Sequence, residues 1–322
     1  MGYFRFKYIL FCFIRYKKVD KIYETCKITN LHYIILNFIF MKQILKLTFE
    51  PKFGAFVISD DEVNRVIADH KVPIIRLPEA KEFELGLNVT GENPTIGFLL
   101  GREEGYYSLD YDYAKAIYMA GGRIQGLCYD SIQEQMATVD GLVLPGGSFV
   151  SPDEFYVTRA ENPQVPSKRS NAYLEAIRVA EEKFIPVLGI CAGAQMIAGA
   201  HGMKMYRDLK RSTIEHKSSD DDAHKVILRP NCLLQYWLGK KEFTVNSRHK
   251  EGMLLNNEGT DLEVYAVAPD GVPEAWGKME DGILCVQWHP ENLAVKGNKL
   301  MLSIYQWIVC ESCNARDFKT FV

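Results

Sequence analysis

Two short stretches carry residue types spaced for nucleophilic chemistry. The first is Gly189-Ile190-Cys191-Ala192-Gly193. It joins an apolar, strand-like run at 185–190 to a helix-like run at 192–200. A strand-to-helix turn this tight needs small residues on both sides of the nucleophile, which it holds out at the sheet edge. The helix dipole there favours thiolate over thiol, and unpaired N–H groups can bind a developing oxyanion. Taken alone, the stretch equally fits a small buried cysteine in a tight turn. The second stretch is Gln287-Trp288-His289-Pro290-Glu291, after a strand-like run at 283–287. Only Pro290 separates His289 from Glu291. His289 therefore fits a base for Cys191, and Glu291 fits the group that orients and charge-balances the imidazole.

A third stretch, Leu144-Pro145-Gly146-Gly147, places a glycine pair at a strand's carboxyl end, where the backbone can approach a ligand closely. Beside the turn at Cys191, the Gly147 and Ala192 N–H groups are the expected oxyanion donors. A plain tight turn is the alternative.

These stretches need a scaffold. Strands are expected at 95–100, 123–128, 141–144 and 185–190, with helices at 112–119, 131–137 and 170–183. Alternation with short connections implies an open, mainly parallel sheet flanked by helices. Sites in such sheets lie at the carboxyl ends of the strands. Residues able to do chemistry do follow Leu144 and Ile190, whereas Leu100 is followed only by Gly101 and a charged loop. Beyond His201 the strand-like pieces are short (203–206, 225–228, 243–245, 262–267, 274–277 and 283–287). They predict antiparallel hairpins attached to the sheet in the C-terminal third, closed by a helix at 298–309.

The chain has 322 residues, 47% of them hydrophobic and 25% charged, with a net charge of -3. That is an ordinary soluble composition, with no bulk electrostatic case for nucleic acid. The eight cysteines are scattered, several in apolar runs, which fits reduced thiols in the cytoplasm. Cys310 and Cys313 form one C-x-x-C without a second ligand pair, so no metal is assigned.

Residues 1–40 are rich in Tyr, Phe, Ile and Lys. Their two apolar runs, 8–14 and 33–41, fall short of the roughly 20 residues a membrane span needs. The stretch fits a peripheral membrane or partner-binding arm, an organellar targeting segment (though it is short of Ser and Arg), or an extension that is not translated or not ordered; the composition change at Met41 makes Met41 the expected true start. Residues 41–90 are expected as an add-on of unknown role: strands near 44–49 and 56–58, a helix over 60–67 and a strand at 71–77 broken by Pro73.

From residue 93 to the end, the ordered pieces PTIGFLL, DGLVLPGG with Ser151-Pro152, PVLGICAGAQ, MYRDL at 205–209, His224-Lys225-Val226, Val245-Asn246-Ser247-Arg248-His249 and EAWGKMEDGILCVQWHPE resemble the class I glutamine amidotransferase family. Within it the likeness is nearest to the γ-glutamyl-γ-aminobutyrate hydrolase (peptidase C26) subgroup. The resemblance implies a flavodoxin-like three-layer domain over 91–322. It implies a Cys-His-Glu triad at Cys191, His289 and Glu291, and a thioester on Cys191 from which ammonia or an amine has left. Gly146, Gly147 and Ala192 would line the oxyanion site, and Gln195 would help hold the glutamyl group. Asn246, Ser247 and His249 would sit near the substrate, with a polar turn as their alternative.

The implied partner is a small γ-glutamyl substrate. Neither nucleic acid nor membrane is expected for this domain, a homo-oligomer is left open, and the mechanism needs no metal or organic cofactor. Two other functions fit the same motifs: a glutaminase subunit feeding a separate synthetase in trans, and an inactive binding protein. The subgroup has Arg after the nucleophile, Asp two residues after the glycine pair and a His-His pair after the Asn-Ser. Here these positions hold Ala192, Phe149 and His249-Lys250, so amidase chemistry is better supported than any named substrate.

Overall fold

The computed structural model describes residues 42–86, 93–210, 212–255 and 259–321. The expectations for residues 1–40 and for a start at Met41 lie outside the described residues.

The chain opens with β1 (Lys42–Lys46), β2 (Thr48–Glu50), β3 (Ala55–Ser59), α1 (Asp60–Ala68), β4 (Val72–Arg76) and α2 (Glu79–Glu84). Helix α1 starts where Ser59 accepts the Glu62 amide, with Asp60, Asp61 and Glu62 in its first turn, an arrangement that complements the helix dipole. Next come β5 (Thr95–Leu99), β6 (Gly101–Glu103), β7 (Tyr106–Asp110), α3 (Tyr111–Met119), β8 (Arg123–Leu127), α4 (Ile132–Met136) and β9 (Gly141–Leu144). The middle holds α5 (Lys168–Glu182), β10 (Val187–Ile190), α6 (Ala192–Ala200) and β11 (Met205–Tyr206). The last third holds β12 (His224–Leu228), α7 (Leu233–Leu238), β13 (Glu242–Val245), β14 (Gly252–Met253), β15 (Glu263–Val267), β16 (Pro273–Lys278), β17 (Ile283–Val286), α8 (Pro290–Ala294) and α9 (Lys299–Phe321).

The main sheet has eleven strands in the order β1-β4-β8-β5-β9-β10-β17-β16-β15-β12-β13. From β8 to β17 every neighbouring pair is parallel. This is the doubly wound order 2-1-3-4-5 of flavodoxin-like folds. From β17 outward through β16, β15, β12 and β13 the pairing is antiparallel, as the short C-terminal pieces predict.

Alternation along the central strands separates two cores. Ile96, Phe98, Val143 and Leu188 pack with Ile117 of α3 and Trp307 of α9 on one face. Leu99, Leu142, Leu144 and Val187 pack with Ala176 of α5 and Ile197 of α6 on the other. Period-two burial on both faces is what a helix-covered sheet requires.

Four local expectations need correction. Pro73 does not break its strand: β4 is continuous and runs parallel to β1 with Pro73 opposite Gln43. Pairing with β8 begins only at Ile75, so the missing N–H falls where the second neighbour is absent. The charged loop after Leu100 is a hairpin, β6 with β7, joined to β3 and β2 in a four-stranded sheet. Helix α7 was not expected, because its cap is unusual: the Cys232 thiol accepts the Gln235 amide. Helix α9 runs on to Phe321 because its packing continues with small and polar groups rather than apolar ones. Ser312 is buried against Gly141, where a Cβ would come within 2.0 Å of the Ser312 hydroxyl. Among the described residues no helix is long and apolar enough to cross a membrane.

Candidate active site

Cys191 sits between β10 and α6 with φ 51 and ψ -113. A positive φ at a non-glycine residue is a strained conformation that the surroundings must hold. Its neighbours explain how. A Cβ on Gly193 would lie 2.1 Å from the Leu144 carbonyl oxygen, and one on Gly189 would lie 2.8 Å from the Ala194 Cα. Both positions must be glycine for α6 to start against the ends of β9 and β10. Cys191 is 8% exposed, and its amide donates to the Val286 carbonyl of β17. The parallel pair β10–β17 thereby sets the thiol beside the chain that carries His289.

His289 caps α8, and its Nδ1 lies 2.6 Å from the Glu291 Oε1. A carboxylate accepts only, so Nδ1 carries the proton, and the other edge of the ring lies with the Cys191 Cβ beside Gly146. Burial alone would push the imidazole down, but the charges of Glu291 and Cys191 and its hydrogen bonds to both hold it well above the usual range. Glu291 is 2% exposed and also accepts from the Tyr305 hydroxyl at 3.3 Å. Burial, then the Glu291 charge, push the Tyr305 phenol well above its usual range, which keeps it a donor. Asn246 clamps the His289 backbone from both sides: its amide donates to the His289 carbonyl and its oxygen accepts the His289 N–H, both at 2.8 Å.

The glycine pair follows β9. A Cβ on Gly146 would come within 2.8 Å of the His289 Cε1 and 3.1 Å of the Cys191 Cβ, so a bare backbone is needed for the turn to reach both side chains. The Gly146 amide is already engaged with the Tyr113 hydroxyl at 3.2 Å. Among the described residues the Gly147 and Ala192 amides have no hydrogen-bond partner, so both are free to donate. Arg169 lies along the turn, donating to the Gly146 carbonyl at 2.8 Å and stacking on Phe149.

The remaining sequence candidates are held by specific partners. Gln195, one turn into α6, donates to the Glu251 carbonyl at 3.2 Å and to the Gln287 side chain at 3.1 Å. The Ser247 hydroxyl donates to the His216 carbonyl at 2.6 Å. The His249 ring turns toward His216 and Glu274, not toward Cys191. Ala192 is half-buried and Lys250 is exposed.

A cavity of about 330 Å³ lies beyond Phe149, two residues after the glycine pair. Its walls include Phe149, Ser151, Asp153, Tyr156, Arg207 and Glu251. Arg207 pairs with Asp153 and lies 3.6 Å over the Tyr156 ring. The Tyr156 hydroxyl donates to the Glu251 carboxylate at 3.1 Å. Burial pushes the Glu251 carboxyl up. Tyr113, Tyr305, Arg207 and Glu251 carry no signal in the sequence, because their separation from Cys191 and His289 along the chain follows no motif spacing.

The sequence matches the Peptidase C26 family over residues 99–291. That is more than half of the chain, and the chain belongs to this family, whose fold is that of class I glutamine amidotransferases. It is 30% identical over 220 residues to a gamma-glutamyl-gamma-aminobutyrate hydrolase of Escherichia coli O157:H7, covering 62% of this chain and 86% of that protein. It is 29% identical over 219 residues to a Schizosaccharomyces pombe protein described as a candidate glutamine amidotransferase, covering 65% and 84% respectively. Among solved structures, the glutaminase domain of Trypanosoma brucei CTPS with bound acivicin shares the fold. Its TM-score is 0.50 at 12% identity, over 69% of this chain and 94% of that one.

Proposed function

We propose that this protein is a thiol hydrolase that cleaves γ-glutamyl amides through a thioester on Cys191. The observation that supports it most is the line Cys191–His289–Glu291 beside two unengaged amides, those of Gly147 and Ala192. The Cys191 thiolate attacks the amide carbonyl carbon, and the resulting oxyanion is met by the two N–H groups. The C–N bond breaks as the His289 Nε2 proton passes to the leaving amine. Water then attacks the thioester, His289 takes its proton, and the thiolate leaves with release of the acid. Glu291 keeps the imidazole in the tautomer that does both, with Asn246 and Tyr305 as positioning residues.

The cavity fits the substrate class. Arg207 and Glu251, of opposite charge and both lining it, would meet the carboxylate and ammonium of an amino-acid head. The six free cysteines among the described residues support a reducing, cytoplasmic setting.

The test is incubation of the purified chain with glutamine and with γ-glutamyl amides of several amines, following release of ammonia or amine beside Cys191→Ala. Release that depends on Cys191 is expected. No release from any of them would contradict the proposal and favour a ligand-binding role. Release that appears only when a synthetase co-purifies would favour a glutaminase acting in trans.

A further inference from the structure

A second buried polar cluster lies away from Cys191. His216, His224, His249 and Glu274 each offer one donor atom, all within 4.8 Å of one another, and all four residues are buried. The Glu274 Oε1 lies 3.3 Å from the His216 Nδ1, 3.6 Å from the His224 Nε2 and 3.5 Å from the His249 Nε2. None of these nitrogens has a hydrogen-bond partner, and neither Glu274 oxygen has one. Glu274 is 0% exposed. A buried carboxylate with no donor is rare, and each such group calls for a physical reason.

The outward nitrogens supply that reason. The His224 Nδ1 lies 3.1 Å from the Lys225 carbonyl and the His249 Nδ1 lies 2.8 Å from the Glu251 carbonyl. The His216 Nε2 lies 2.9 Å from the Asp270 carboxylate. Asp270 is itself fixed by the Ser212 hydroxyl and the Val272 amide. All three acceptors can only accept, so each imidazole places its N–H outward. In the neutral tautomer the inward nitrogen then presents a lone pair. Three lone pairs and one carboxylate converge on one point. Outer partners of this kind, carbonyls and a carboxylate, are those that orient metal-binding imidazoles. Donors about 2.0–2.1 Å from a tetrahedral zinc ion are separated by about 3.4 Å; the three Glu274 distances match that, and the four donors together lie within 4.8 Å of one another, so the imidazoles close in on the ion when it binds.

We propose that His216, His224, His249 and Glu274 form a closed, structural site for a divalent transition cation of the zinc class. Three imidazoles and one carboxylate suit zinc in ligand type. Two carboxylates, Glu274 in direct contact and Asp270 behind His216, balance its charge. Four protein donors leave no position for a substrate. The site ties the loop holding His216 to β12, β16 and the 246–251 loop. That loop carries Asn246, which clamps His289, and the Glu251 carbonyl that receives Gln195. The ion would therefore stiffen one wall of the candidate active site from behind. The proposal does not rest on the amidase reading.

The experiment is elemental analysis of the full chain purified without a histidine tag, before and after exposure to zinc, with cobalt substitution as a spectroscopic probe. About one zinc ion per chain is expected, as is the visible absorption of tetrahedral cobalt without a sulfur charge-transfer band. Metal content is expected to be unchanged in Cys191→Ala and in the Cys310→Ser/Cys313→Ser double variant. It is expected to be lost in His224→Gln and Glu274→Gln. If a variant fails to fold, chelation of the unmutated chain serves instead, with a lower melting temperature expected and recovery on adding zinc. A chain that takes up no metal would overturn the proposal, and so would metal that survives His224→Gln but is lost with the cysteines.

Discussion

Two buried sites set imidazole against a glutamate, one histidine at Glu291 and three at Glu274, and they differ in what the carboxylate meets. At His289 the imidazole and carboxylate are 2.6 Å apart and Tyr305 donates to the other carboxylate oxygen. That carboxylate finds its partners within the protein. At Glu274 three imidazoles stand 3.3–3.6 Å from one oxygen without a hydrogen bond. Hydrogen-bond distance suits a site that shuttles a proton, while the wider spacing suits a cation in the middle.

Substitutions should break this contrast in a graded order. His289→Ala removes the proton carrier and should lower kcat/KM by roughly 10⁴-fold, as for other nucleophile-base pairs, with metal content untouched. Glu291→Gln keeps the shape but removes the carboxylate charge that raises His289. A decrease of roughly 10²–10³-fold is expected from a misoriented base. The sign of its pH effect follows from His289, whose folded pKa is raised. The charged pair, and the stability it contributes, are present at neutral pH and lost as pH rises through that raised value. In Glu291→Gln the alkaline edge should therefore move to lower pH, read from the pH profile of kcat/KM and of Cys191 alkylation. An unmoved edge would contradict the pairing.

The other cluster should respond in stability before activity. With free zinc about a thousandfold above Kd, bound metal would stabilise the fold by about 4 kcal/mol, on the order of 10 °C in Tm. Glu274→Gln should abolish that zinc-dependent increment in calorimetry. Tyr305→Phe is the mildest change. It removes one hydrogen bond to Glu291, of about 1 kcal/mol, and should lower kcat/KM by about fivefold with a small shift of the pH profile.

Much of the first cluster was legible in the sequence, and almost nothing of the second. Cys191 is announced by Gly189 and Gly193, because the tight turn admits only glycine where Leu144 and Ala194 press in. His289 and Glu291 are near neighbours in the chain. The parallel strands were legible because 141–144 and 185–190 are uninterrupted apolar runs. His216, His224, His249 and Glu274 come from different segments, and antiparallel pairing of β12, β15, β16 and β17 brings some of them together. The one local signal was Glu274, an acid in a strand whose other residues through Gly277 are buried. The family resemblance alone puts His249 near substrate; in the fold its ring packs on His216 and faces Glu274. Helix α9 was cut short at 309 because Glu311 and Ser312 are buried without being apolar.

The central claim is that Cys191 carries the acyl group, and the most direct measurement is mass spectrometry of protein quenched during turnover of a γ-glutamyl amide. The account predicts a hydroxylamine-labile γ-glutamyl adduct on the peptide containing Cys191, absent in Cys191→Ala and more abundant when water attack is slowed. Consumption of the amide with no adduct at Cys191, or with the adduct on another cysteine, would contradict it.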